Sequence, residues 1–181
     1  NNLVVYVDRC SYTESPFIIR IKADAQQPVD TLYKYPTDKY SSDPEQMRDV
    51  LERIANMCPA NDYGLVLWGH GSGWIIEPDS ISTSTTKGSQ RAYGVDNGNN
   101  RTSSNKALWM NVPTLARMLE QTGILWKFIF FDCCNMMNAE VAYELRKSTS
   151  YLIGPPSETP GIGAPYTTIV KDLFIKDEAA L

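Results

Sequence analysis

Histidine is almost missing from this chain: among 181 residues only His70 carries an imidazole. Any chemistry that needs one must therefore use His70. Cysteine is scarce too, at four residues. A chain long enough to bury a sizeable core needs no disulfide scaffold, and four thiols do not suggest one. Cys10 and Cys58 are far apart and could pair, but buried free thiols are the expected state. Clusters of lysine and arginine are missing, and the formal net charge is −4. Both features argue against a nucleic-acid partner. No apolar run is long enough to span a bilayer, so no membrane span is expected. Zinc would need more imidazoles, or cysteine pairs better spaced than the adjacent Cys133 and Cys134. No repeat and no dividing linker is visible, so residues 1–181 are expected to form one domain. No signal-peptide pattern opens the chain. It begins almost at once on the strand-like "NNLVVYVDRC", and is expected to be the mature or trimmed part of something longer.

What is present is an ordinary globular composition, 43% hydrophobic and 21% charged. Apolar, β-branched runs predict strands at Leu3–Val7, Phe17–Ile21, Tyr63–Trp68, Lys127–Phe131 and Tyr151–Ile153. The runs at 63–68 and 127–131 are nearly continuous, the pattern of strands buried on both faces of a parallel sheet. Helices are expected between them. One starts at Asp43, with Pro44 at its first position and Gln46 completing a capping-box pattern. Met47, Val50, Leu51, Ile54 and Met57 form its apolar stripe. A second runs from Asn111 to Gly123 with Val112, Leu115 and Leu119 inward. A third follows the cysteines on Met137, Val141 and Leu145. Such alternation predicts an α/β sandwich around a mostly parallel sheet. The stretch Glu77–Lys106, rich in Ser, Thr, Gly and Asn, reads as a long loop with a short hairpin at Arg91–Val95.

Ligands and catalytic groups collect outside the carboxyl ends of parallel strands. Two such ends stand out. "LVLWGHGSGW" empties a buried strand into Gly69-His70-Gly71, and "FIFFDCCN" empties another into Asp132-Cys133-Cys134. If these strands are neighbours, the imidazole and a thiol come within reach, the logic of a Cys–His pair. Side chains alternate along a strand, so Asp132 and Cys134 point one way while Cys133 shares the direction of Phe131 and packs. Cys134 is thus the candidate nucleophile. A carboxylate beside it does not help ionise a thiol. Asp132 is better suited to floor a pocket for a positively charged side chain. The N–H of Gly71, unobstructed by a Cβ, and that of Cys134, near a helix N-terminus, are the candidate oxyanion donors.

Bland readings exist for each residue alone: His70 as a loop residue, a cysteine as a small buried hydrophobe, Asp132 as a helix cap. Other chemistries fit worse. "GHGSG" lacks the GK[ST] ending of a phosphate loop, and Ser72 is out of G-x-S-x-G register. A vicinal Cys133–Cys134 disulfide would be strained and inactivating.

Together these motifs carry a resemblance. "LVLWGHGSGW" followed by "FIFFDCCNMMNAEVAYELR" resembles the clostripain family of cysteine peptidases, of the same clan as caspases, legumains and gingipains. His70-Gly71 matches the family's His-Gly motif and Asp132-Cys133-Cys134 its Asp-x-Cys motif; "YGVDNG" and "PSETPGIGAPY" fall where relatives have similar segments. The resemblance implies a caspase-like three-layer α/β/α sandwich. It makes Cys134 the nucleophile, His70 the base and Asp132 the selector of arginine or lysine before the cleaved bond. Ser157 to Tyr166 would wall that pocket. Asn135 stands where relatives usually carry an apolar residue, and Ala164 where a tryptophan is usual. The likeness also implies self-cleavage in the 77–106 loop, at Lys87 or Arg91 with Arg101 as a further basic site, and export from the cell. The expected partner is a peptide or protein with a basic residue. No cofactor is required by the sequence; calcium activates some relatives, but no calcium loop is spelled here. The rival is a catalytically inactive, caspase-like interaction domain, and a weaker third reading is an α/β domain whose glycine turn binds an anion.

Overall fold

The computed structural model describes residues 2–9, 14–24, 26–73, 93–96 and 108–172. The chain opens with an antiparallel sheet of β1 (Leu3–Val7), β2 (Phe17–Ile21) and β3 (Val29–Lys34), in that order. The first two match the apolar runs. β3 has no counterpart among them, because Val29, Thr31 and Lys34 are exposed and Asp30 interrupts the apolar pattern. Asp30 instead pairs across the sheet with Arg20 at 2.7 Å. A charge pair in register contributes there what an apolar pair would elsewhere. Ile18, fully buried on β2, packs with Tyr35 and Val50 into a small core of its own.

Helix α1 (Pro44–Met57) links this sheet to the rest. The Asp43 side chain accepts the N–H groups of Glu45 and Gln46, satisfying two donors at the helix start. The capping box is only half made, since the Asp43 N–H donates to the carbonyl of Tyr40 rather than to Gln46. The expected stripe serves two cores. Met47 and Leu51 face the parallel sheet, whereas Val50, with the partly buried Ile54 and Met57, faces the antiparallel one.

Next come β4 (Tyr63–Trp68), β5 (Tyr93–Asp96), β6 (Leu108–Met110), α2 (Val112–Gln121), β7 (Trp126–Asp132), α3 (Ala139–Leu145), β8 (Thr149–Ile153) and α4 (Tyr166–Asp172). β5 pairs antiparallel with β6, and the hairpin expected at Arg91–Val95 falls partly outside the described residues. Residues 91 and 92 lie outside the described residues, as do Cys10 and nearly all of the 77–106 loop with Lys87, Arg91 and Arg101. α2 buries Val112, Leu115 and Leu119 as its pattern predicts. α3 begins later than its pattern suggests: Met137 precedes it and is exposed, and Met136 takes the buried place.

β4, β7 and β8 form a parallel sheet in the order β4-β7-β8. The α/β class expected from the alternation is the class of the molecule. Parallel strands need long crossovers, which the helices supply. Leu65, Leu67, Ile129 and Phe131 share one core with side chains of α1, α2 and α3. Phe131 is fully buried there, and losing its ring would cost on the order of 3–5 kcal/mol.

Candidate active site

β4 and β7 are adjacent, and the register places Trp68 opposite Asp132. Gly69-His70-Gly71 and Cys133-Cys134 therefore leave neighbouring strand tips side by side. The join is tight at Gly71. A Cβ there would lie 2.5 Å from the Cys134 carbonyl oxygen, 2.8 Å from Met136 Cγ and 3.1 Å from Cys133 Sγ. Only a glycine lets the two tips approach this closely. The loop is tethered on its other side by β5: the Gly94 N–H donates to the His70 carbonyl at 2.8 Å, and Gly71 bridges to Tyr93. His70 itself is exposed.

The two thiols have different surroundings. Cys133 is buried among core side chains, and burial pushes its thiol up to about 12, with Cys134 and Asp132 adding to the effect. It remains a protonated, inert group at any ordinary pH. Cys134 is half-exposed. The distinction was expected from strand alternation, but it arises otherwise: β7 ends at Asp132 and the chain turns over Cys133 to Asn135. Asn135 holds φ 61°, a left-handed conformation that asparagine adopts more readily than the branched or bulky residues do. That conformation is a physical reason for an asparagine at this position. The turn also corrects one expectation. Cys134 does not stand at a helix N-terminus, because α3 starts only at Ala139, capped by Asn138.

Asp132 is 5% exposed. Both its carboxylate oxygens accept the N–H of Ala164, at 3.0 and 2.9 Å, and Oδ2 also accepts the hydroxyl of Tyr166 at 2.7 Å. Burial, then the bond to Asp132, pushes the Tyr166 hydroxyl up, so it stays a donor. The expected Ser157–Tyr166 wall does come to Asp132. Ala164 contributes through its backbone N–H, so any residue but proline can make that contact.

The same segment laces the rest of the turn. The Met137 N–H donates to Pro155, the Asn135 N–H donates to the carbonyl of Ser157 at 3.0 Å, and the Thr159 N–H donates to Cys134 Sγ at 3.3 Å. Ser157, a candidate wall residue, is exposed and acts here through its carbonyl.

Two residues at the site are not singled out by the sequence reading, Thr159 falling only within the expected Ser157–Tyr166 wall. Thr159 touches the Cys134 sulfur across 25 positions of sequence, a separation no local pattern reveals. Trp68 is 63% exposed at the tip of β4. A Cβ on Gly163 would lie 2.6 Å from Asp132 Oδ2 and 2.9 Å from Trp68 Nε1, so indole and acid flank one point. Its parity with Asp132 becomes readable only once the β4–β7 register is known. Among the described residues no group of three or more His, Cys, Asp or Glu could hold a metal ion, and no helix is long and apolar enough to cross a membrane.

The profile of the clostripain family matches residues 1–181. Among solved structures, a secreted C11 cysteine protease from Bacteroides thetaiotaomicron, in complex with an irreversible peptide inhibitor, is 35% identical with a TM-score of 0.80. It is matched over 98% of this chain and 45% of its own. A second secreted C11 cysteine protease of that organism, iotapain, is 27% identical with a TM-score of 0.76, over 99% of this chain and 48% of its own. An inactive zymogen C11 protease from Parabacteroides distasonis is 32% identical with a TM-score of 0.71, over 97% and 43%. This chain thus spans a little under half the length of these three structures. No curated protein matches it.

Proposed function

Since the chain belongs to the clostripain family of cysteine peptidases, we propose that it is the catalytic portion of an endopeptidase cleaving after arginine or lysine. The observation that carries this reading is the junction of the two strand tips. A half-exposed thiol, the chain's sole imidazole and a buried carboxylate leave adjacent parallel strands. Cys134 attacks the carbonyl carbon of the scissile bond as its proton passes to His70. The oxyanion is held by the N–H groups of Gly71 and Cys134. His70 then gives its proton to the departing amine, and water, deprotonated by His70, releases the acyl group from Cys134. Asp132 attracts the basic side chain, with the Ser157–Tyr166 segment and Tyr166 itself beside it. This chemistry calls for no cofactor; calcium, carried by family likeness, is checked by activity with and without a chelator. We further propose self-cleavage in the 77–106 loop, at Lys87 or Arg91, and export of the mature enzyme, as two similar proteins are described as secreted.

Short reporter peptides ending in Arg, Lys, Asp or Ala test the reading. Release after Arg or Lys, abolished by Cys134→Ala, is the expected result; equal cleavage of all four peptides, or cleavage surviving Cys134→Ala, would defeat it. One observation favours a second reading, an inactive or latent domain: the carboxylate meant for substrate is bonded at both oxygens by its own chain. A thiol-reactive arginyl probe separates the two. Labelling of Cys134 that vanishes in His70→Ala supports the enzyme, and no labelling at any probe concentration supports the inactive domain.

A further inference from the structure

We propose that Thr159 is a catalytic residue: its N–H and hydroxyl form a two-donor seat that holds the Cys134 sulfur as a thiolate. The inference rests on Cys134 being the nucleophile. The Thr159 N–H donates to Sγ at 3.3 Å, and the hydroxyl oxygen lies 3.5 Å from the same sulfur. While it carries its proton, the Cys134 sulfur also donates to the Thr159 carbonyl, a long contact of 4.0 Å. Backbone N–H groups cannot reverse their polarity. A hydroxyl can, and it faces the sulfur as acceptor of S–H or as donor to S⁻. In the thiol state the seat offers one fixed donor to a weak acceptor. In the thiolate state both donors point at a full charge, and hydrogen bonds to charged groups are roughly twice as strong as neutral ones. Bonding to the ionised form favours that form.

The seat is preorganised. Met137 with Pro155, Asn135 with Ser157, and Cys134 with Thr159 are successive rungs between the nucleophile turn and the 155–159 segment. Two rungs that do not involve the sulfur therefore fix where the third falls. Pro160 follows Thr159 and disfavours helical backbone there. The β-branched side chain restricts χ1, so little freedom is lost in aiming the hydroxyl. The arrangement also suits the site: the sole imidazole stands on the neighbouring, exposed tip, while Thr159 is bonded to the sulfur directly.

The test is the pH dependence of Cys134 alkylation by iodoacetamide, followed by mass spectrometry of the Cys134 peptide, in the full chain. Thr159→Val removes the hydroxyl and keeps the shape. Its alkylation rate at pH 7 should fall about tenfold, and its half-plateau should move to higher pH. Thr159→Ser should restore the original profile. The same displacement should appear in a His70→Ala background, because the seat does not act through the imidazole. If Thr159→Val does not fold, judged by thermal unfolding, Thr159→Ala carries the same measurement. Unchanged profiles in the folded variants, while Cys134→Ala abolishes peptide cleavage, would overturn the seat and leave the peptidase reading standing. Cleavage that survives Cys134→Ala would instead overturn the premise for both.

Discussion

The two strand tips that meet at the site are built in opposite ways. On the β7 side, one segment, residues 155–166, holds everything: Asp132 through Ala164 and Tyr166, Cys134 through Thr159, Asn135 through Ser157. On the β4 side, His70 is exposed and its loop is pinned by backbone contacts to β5. A nucleophile gains from being fixed, since misplacement by an ångström is costly. A proton carrier must face first the thiol and then the leaving amine, and an exposed side chain on a tethered backbone permits both. The largest effect should come from exchanging the two thiols. Cys134→Ala should reduce cleavage of an arginyl reporter by roughly a thousandfold or more. Cys133→Ala, which empties a buried site, should cost about 1 kcal/mol of stability and leave most of the rate. Equal loss of rate in both would erase the distinction between the cysteines.

How far this contrast could be read from sequence differs between the tips. β4 and β7 are legible because both run nearly continuously apolar, whereas their adjacency enters the sequence reading only as a condition, which the register meets. The exposed His70 and half-exposed Cys134 then follow neighbouring strand tips. Alternation separates the buried Cys133 from the half-exposed Cys134 by an argument that holds only to Asp132, where the strand stops and a left-handed Asn135 takes over. The 155–166 segment was legible only by family likeness. Its hydrogen bonds to the turn are made largely by backbone, and backbone contacts leave no mark in side-chain pattern. β3 has no apolar run for a related reason: Leu32 and Tyr33 alone pack on the small core, and the Arg20–Asp30 pair and register supply the rest.

The next effect in size tests the tied side. Asp132→Ala should remove the preference for arginine and lysine over alanine, a loss of roughly a hundredfold. It should also lower stability by about 1–3 kcal/mol, because the Ala164 N–H and Tyr166 hydroxyl lose their acceptor. Selectivity kept in the folded variant would show that Asp132 serves the segment and not the substrate. Gly71→Ala tests the junction itself. A Cβ facing the Cys134 carbonyl at 2.5 Å must push the tips apart, so turnover should fall about tenfold, with 1–3 kcal/mol of destabilisation, about what overpacking costs. An active Gly71→Ala with unchanged Tm would mean that close approach is not needed.

The smallest effect probes the tether on the histidine side. Asp96, on β5, accepts the N–H and hydroxyl of Ser41, and beside it stands Asp8 at the end of β1. Burial, then the neighbouring charges of Asp96 and Asp38, raise the Asp8 carboxyl to about 7. Its folded form thus holds the proton more tightly than the unfolded chain does. The stabilisation is complete below the ordinary carboxylate range, near pH 4, and is lost as pH rises through about 7. Asp8→Asn, which cannot ionise, should remove that loss. Relative to the parent, its Tm should rise between pH 4.5 and pH 8, by a few degrees at about pH 8. Because β5 also carries the bonds to His70 and Gly71, hydrogen exchange at the Gly94 amide should quicken with pH beyond its intrinsic rate in the parent and not in Asp8→Asn. The Asn135 amide, on the tied side, should show no such difference; parallel behaviour at both amides would mean that the acids act on the whole fold and not on one tip.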